Sequence, residues 1–206
     1  MTLDNALTGV NDHLRGLLPP EIFAVLEADR RRAATDFAEV GAKIDDFTLP
    51  AADGTATSLS ELVADGPAVL VFYRGQWCPY CNLTLRTYQR ELLPELEKLG
   101  ATLAAISPQK PDGVVPELGF PVLSDVGSTV ARGLRLSYPV SAPVREAMET
   151  LGTNLEEVNG TWELFHPAVV VVDRDRVLRF VDVHPDFVTR TEPADILKAL
   201  QPTVSR

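Results

Sequence analysis

The sequence predicts an α/β fold, and three stretches carry that prediction. Pro67 to Tyr73 (PAVLVFY) is almost wholly apolar and β-rich, as expected of a strand buried on both faces. Residues 79–99 switch to helical period, with Cys81, Leu85, Tyr88, Leu92, Leu96 and Leu99 on one stripe. Ala101 to Ile106 is a second buried strand. Strand, helix and strand make the βαβ unit of a parallel sheet.

The remaining elements follow in chain order. Leu3, Leu7, Val10, Leu14 and Leu17 fall at helical spacing, and Pro19-Pro20 ends that helix. Ile22 to Asp29 reads as a second helix with Pro20 near its start. The run Arg30-Arg31-Arg32 reads as a solvated helix end favoured by the helix dipole. Residues 1–40 thus form a peripheral helical extension, and residues 41–201 form the main domain. Phe47-Thr48-Leu49 is a short strand, and Asp53-Gly54 is a turn. Pro94 interrupts the long helical stripe and kinks or restarts it. Pro121 to Leu123 is a third short strand. Val126 to Leu136 and Ala142 to Leu151 read as short helices, and residues 152–165 as polar and irregular. Pro167 to Val172 (PAVVVV) is another buried strand. Asp173-Arg174-Asp175-Arg176 is a tight turn leading to an antiparallel partner at Val177 to Val183. Pro193 opens a last helix that buries Ile196, Leu197 and Leu200.

The totals bound the function. The chain has 206 residues, 45% hydrophobic and 23% charged, which is a globular composition. Nineteen basic residues stand against 29 acidic ones, a net charge of −10. Nucleic acid is therefore not the expected partner, since phosphate binding rests on a basic face. No apolar run approaches the roughly 18 residues that a membrane span needs. The first residues lack the basic start and apolar stretch of a secretory signal, so the expected location is cytoplasmic. Structural disulfides are rare there.

The chain has two cysteines, in Trp77-Cys78-Pro79-Tyr80-Cys81, where the first buried strand hands over to the first long helix. Pro79 suits the first helical position, because the donor it lacks would be unpaired there anyway. Cys78 then sits at the N-cap, facing the free amides of the first turn. A thiolate there is stabilised, so the Cys78 pKa is expected to fall below its free value of about 8.5. Cys81 lies on the same helical face, within reach and more buried. The pair reads as Cys78 attacking and Cys81 resolving. Two other readings stay open: half of a zinc site, or inert core thiols. The zinc reading lacks partners, since His13, His166 and His184 show no paired spacing. No metal or organic cofactor is expected. A C-x-x-C in a βαβ context reads as a thioredoxin-like redox motif. Arg74 and Arg86 flank it and are candidates to stabilise thiolate or sulfenate charge. Trp77 is a candidate shield for Cys78. Pro167, directly before a buried strand, is a candidate cis-proline. His166 and His184 are candidate proton carriers or turn residues.

Phe72-Tyr73-Arg74-Gly75-Gln76-Trp77-Cys78-Pro79-Tyr80-Cys81 resembles the peroxiredoxin-like proteins of the alkyl hydroperoxide reductase and thiol-specific antioxidant family. Phe47-Thr48-Leu49-Pro50, Ile106-Ser107-Pro108-Gln109, Phe120-Pro121-Val122-Leu123-Ser124-Asp125 and the stretch from Val171 to Asp186 extend the likeness over residues 40–200. The resemblance implies a thioredoxin-like fold, a central mixed sheet flanked by helices, with Cys78 as the peroxidatic position. It also places Pro167 where thioredoxins keep a cis-proline. It implies a thiol peroxidase acting on hydrogen peroxide or organic hydroperoxides, with Cys81 resolving the Cys78 sulfenic acid. A thioredoxin- or glutathione-type reductant would restore the pair, and a homodimer would be in keeping with the family. The family's usual threonine, proline and arginine are replaced here by Gly75, Val71 and Pro167, which leaves Arg74 as the candidate substitute. A dithiol–disulfide oxidoreductase and a non-enzymatic redox-sensing module are the alternatives.

Overall fold

The computed structural model describes residues 2–30, 34, 36–51, 53–111 and 118–201. The chain opens with helix α1 (Leu3–Leu17) and helix α2 (Pro20–Arg30). A small hairpin follows, β1 (Thr48–Pro50) with β2 (Ala56–Ser58), then the short helix α3 (Leu59–Leu62). Ser58 and Glu61 cap α3 reciprocally, each side chain bonding the other's backbone N–H. The βαβ unit is β3 (Ala68–Phe72), helices α4 (Pro79–Thr87) and α5 (Leu93–Lys98), and β4 (Thr102–Ser107). A π-turn at Tyr88–Leu92 joins α4 to α5. Pro94 lies in the first turn of α5. Lacking an N–H, it cannot continue an α-helical ladder, and the helix restarts there.

Next come β5 (Val122–Ser124), α6 (Thr129–Gly133), β6 (Ser137–Pro139) and α7 (Ala142–Thr150). Helix α6 is shorter than the predicted Val126–Leu136, and residue 137 onward pairs as a strand instead. The segment 152–165, expected to be irregular, carries α8 (Leu155–Asn159) and β7 (Glu163–Phe165). The local signals for α8 are plain once seen. Asn154 caps the Glu156 and Glu157 amides, and Gly160 ends the helix in left-handed conformation. The chain closes with β8 (Ala168–Val172), β9 (Leu178–Val183) and α9 (Pro193–Ala199).

The main sheet has the order β5-β4-β3-β8-β9. Strand β3 runs parallel to β4 and antiparallel to β8, so the sheet is mixed. Every residue of β3 and β8 is buried, which accounts for their unbroken apolar runs. The two faces feed two cores. Val69, Val71, Leu103, Val169 and Val171 meet Tyr88, Leu92, Leu96, Ile196 and the α1 residues Leu3 and Leu7. Leu70, Phe72, Ile106, Val170 and Val172 meet Leu59, Leu62, Leu136 and Phe165. No described helix is long and apolar enough to cross a membrane.

The N-terminal helices are less peripheral than their sequence suggests. Glu192, which precedes α9, accepts hydrogen bonds from Leu3 N (3.1 Å) and Asp4 N (2.9 Å), tying down the start of α1. Arg30 at the end of α2 donates to both carboxylate oxygens of Asp186, Nε to Oδ1 at 2.8 Å and Nη2 to Oδ2 at 2.9 Å. Arg31 and Arg32 lie outside the described residues.

Candidate active site

Strand β3 ends at Phe72, and after a six-residue connection helix α4 begins at Pro79 with Cys78 as its N-cap. The intervening loop is pinned on several sides. Gln109 Oε1 accepts from Gln76 N at 2.9 Å, and Asn82 Nδ2 donates to Gln76 O at 2.7 Å. Gly75 has φ +138°, and a Cβ there would fall 2.5 Å from Trp77 Nε1. Only glycine fits this turn. It is the position where the family's threonine was expected.

The Cys78 and Cys81 Sγ atoms are 2.9 Å apart and hydrogen-bonded, with no disulfide between them. Both are buried, at 0% and 1% exposure. The expected stabilisation of Cys78 by the first-turn amides is not found, since its side chain makes no capping hydrogen bond. Burial instead pushes the Cys78 pKa well up, and its hydrogen bond to Cys81 adds to the rise. Cys81 goes the other way. Burial opposes its ionisation, but the hydrogen bond from Cys78, the Arg190 charge, the Arg74 backbone amide and the Arg74 charge lower its pKa to about 5. The two shifts favour the proton on Cys78 and the negative charge on Cys81.

Arg190 is the residue that sequence reasoning missed. Its Nη2 donates to Cys81 Sγ at 3.3 Å. Its Nη1 donates to the Phe187 and Thr189 carbonyls, both at 2.6 Å, which fixes the guanidinium. It lies 109 positions beyond Cys81, in the loop between β9 and α9. Nothing in the local pattern Thr189-Arg190-Thr191 marks it. A buried arginine becomes visible only when the loop folds over α4.

Arg74 is also buried, at 3% exposure, with its guanidinium carbon 4.2 Å from the Phe187 ring centroid and 5.0 Å from that of Trp77. Its Nε has no hydrogen-bond partner, and neither has Trp77 Nε1. Arg74, Trp77, Cys78 and Pro79 line one cavity of about 390 Å³. Arg86 is exposed on α4 and takes no part. Pro167 does not line that cavity. Its peptide bond is trans, since no cis bond occurs among the described residues. Pro167 O accepts from His184 N at 2.8 Å, extending the β8–β9 ladder in ordinary extended form. His166 is buried and stacks on Tyr138 with centroids 4.4 Å apart. His184 is held by Thr189, Asp182 and Thr191, facing the loop rather than the sulfur atoms. Among the described residues, no group of three His, Cys, Asp or Glu side chains is assembled that could hold a metal ion.

The roof of the cavity comes from the N-terminal helices. Asn11 of α1 accepts from Tyr80 OH at 2.8 Å, joining α1 to the first turn of α4. Tyr80 in turn packs on Phe187, with ring centroids 5.8 Å apart.

This arrangement has known counterparts. The chain is 25% identical to the crystal structure of peroxidoxin BcpB from Mycobacterium tuberculosis, with a TM-score of 0.62 over 81% of this chain and 99% of that one. It matches the fold of a mutant of peroxiredoxin 6 from Arenicola marina at 16% identity and a TM-score of 0.61, over 79% of this chain and 72% of that one. The Mycobacterium tuberculosis protein curated under the name Putative peroxiredoxin Rv1608c is 35% identical over 98 residues, 45% of this chain. That match spans 63% of the relative's own length. The AhpC/TSA family model matches residues 40–181, more than half of the sequence, and the chain belongs to that family.

Proposed function

We propose that this protein is a thiol-dependent peroxidase working through Cys78 and Cys81. One observation carries the reading: two free cysteine sulfurs lie 2.9 Å apart, one in a cavity wall and the other beside the Arg190 guanidinium. Proton transfer from Cys78 to Cys81 across the 2.9 Å contact puts the anion on Cys78, at the cavity. The Cys78 thiolate attacks the terminal peroxide oxygen. An S–O bond forms and the O–O bond breaks, giving Cys78 sulfenic acid and an alkoxide or hydroxide. That leaving group takes the proton back from Cys81, which regenerates the Cys81 thiolate. The thiolate then attacks the sulfenic sulfur, forms the Cys78–Cys81 disulfide and releases hydroxide to the solvent. Two electrons from a thioredoxin- or glutathione-type dithiol restore the pair. Arg190 holds Cys81 in place and in charge throughout, and Arg74 with Trp77 supplies donors near Cys78.

A second assignment of roles is favoured by the Arg190 contact itself. Cys81, already ionised, would attack, and Cys78 would resolve. The deciding measurement is peroxide-driven thiol loss in the reduced protein, with mass spectrometry on Cys78→Ser and Cys81→Ser. A sulfenic acid trapped on Cys78 in Cys81→Ser supports the first assignment. Fast oxidation of Cys81 in Cys78→Ser supports the second. Oxidation no faster than in the unfolded chain sinks both, and insulin reduction would then test dithiol–disulfide exchange as the function. The same reading takes residues 41–201 as the catalytic domain and 1–40 as an extension, in a cytoplasmic protein that pairs as a homodimer.

A further inference from the structure

We propose that His184 is a positioning residue that sets the Arg190 guanidinium against Cys81. The inference rests on the peroxidase reading, in which the charge on Cys81 serves the pair, and it adds a residue whose ring bonds the loop rather than either sulfur. Arg190 reaches Cys81 from a stretch, residues 189–191, that lies in neither a helix nor a strand. Side-chain bonds hold that stretch. His184 Nδ1 is hydrogen-bonded to Thr189 Oγ1 at 2.8 Å, and Nε2 is bonded to Thr191 Oγ1 at 3.2 Å. One ring thus grips the residues on both sides of Arg190, while the Arg190 side chain goes to Cys81 Sγ at 3.3 Å.

The ring itself is anchored on the sheet. His184 directly follows β9, and its backbone N–H donates to Pro167 O at 2.8 Å. Asp182, paired with Val169 across the β8–β9 ladder, bonds Nε2 at 3.2 Å and accepts from Thr191 Oγ1 at 2.9 Å. Thr189 Oγ1 donates onward to Asp186 O at 3.0 Å. Water competes little for these bonds, since the His184 side chain is 15% exposed and Thr191 is buried. A continuous path therefore runs from the sheet to the sulfur: β9, His184, Thr189, and Arg190, whose Nη1 donates to the Thr189 carbonyl at 2.6 Å. A long arginine side chain needs such support, because its many rotamers oppose a single placement. A displacement of about 1 Å is enough to lose the contact with Cys81. The Phe187 carbonyl is a second hold on the same guanidinium nitrogen, so losing His184 weakens the placement rather than abolishing it.

The test is the Cys81 titration of the reduced full-length protein, read as thiolate ultraviolet absorbance against pH. In His184→Ala the midpoint should rise from about 5 by about one pH unit, an about tenfold drop in the ionisation constant. His184→Asn, which places an amide near the Nδ1 position, should recover part of that rise. In an Arg190→Met background, His184→Ala should move the midpoint no further, because a residue that acts through Arg190 has nothing left to place. An equal rise in that background, or none with Arg190 present, overturns the inference. Should His184→Ala fail to fold, Thr189→Val carries the same test. It keeps the branched shape, removes the hydroxyl that the ring holds, and should raise the midpoint in the same direction, and an unmoved midpoint overturns the inference. Peroxide-driven thiol loss separates this inference from the peroxidase reading. An unmoved midpoint in protein that peroxide still oxidises rapidly overturns the positioning role alone. A raised midpoint in His184→Ala, with the unmutated protein oxidised no faster than the unfolded chain, overturns the peroxidase reading and leaves His184 as the residue that places Arg190.

Discussion

The two sulfur atoms are 2.9 Å apart, yet their surroundings differ in kind. Cys81 faces a fixed guanidinium whose other nitrogen is anchored on two backbone carbonyls. Cys78 faces an apolar cavity roofed by helices from the other end of the chain. Low dielectric makes the difference large. At Cys78, burial and the hydrogen bond to Cys81 outweigh the Arg74 and Arg190 charges, while the direct Arg190 hydrogen bond favours the anion on Cys81. The pair thereby separates two surroundings, one that favours the anion and one that opposes it.

The strongest way to break this comparison is to remove either sulfur. Cys78→Ser and Cys81→Ser should each lower steady-state peroxide turnover by about a thousandfold or more, because the pair acts as a unit. Turnover coupled to a thioredoxin-type reductant checks this, and a variant that keeps even a tenth of the rate would contradict it.

Next in size is the charge on the Cys81 side. Arg190→Met removes a charge-assisted hydrogen bond worth about 1.5–3 kcal/mol, or roughly tenfold to more than a hundredfold in the Cys81 ionisation constant. Thiolate ultraviolet absorbance against pH should show the Cys81 titration moving up from about 5 towards the ordinary thiol range. Arg190→Lys should recover part of the shift. An unmoved titration in Arg190→Met would show that the charge is held by something else.

The pH profile sharpens the same point without mutation. A depressed pKa means that the thiolate is present above it and lost as pH falls through it. Peroxide-driven thiol loss should hold nearly level from pH 8 down to about 6 and then decline through about 5. A decline already centred near the free thiol value of about 8.5 would place both thiols outside the influence of Arg190.

The smallest effects belong to the cavity roof. Asn11→Ala deletes the acceptor of Tyr80 OH and should cost about 1 kcal/mol in chemical denaturation. The half-exposed Arg30–Asp186 pair should contribute no more than about 1 kcal/mol in a double-mutant cycle, since solvent screens it. Both should leave the Cys81 titration in place. A shift there would mean that the roof and the charge site are one unit.

What could be read from the chain alone follows the range of the forces involved. The apolar runs 67–73, 101–106 and 167–172 declared buried strands because each is short and saturated with β-rich side chains, and the sheet uses all three. Pro79 and Pro94 marked helix starts because a missing N–H acts locally. The spacing of Cys78 and Cys81 placed two sulfur atoms on one helical face, and they do meet. Helix α8 was missed although its signals, Asn154 and Gly160, are local, because a polar five-residue helix shows no periodicity. The electrostatics of the site were beyond the sequence. A thiol's pKa depends on what lies within a few ångströms, and Arg190 arrives there from 109 residues away. Pro79 as the first residue of α4 was set by a local backbone rule that the sequence states. Which sulfur carries the charge, and that helices α1 and α2 roof the other, was decided only when the loop after β9 and the N-terminal helices closed over α4.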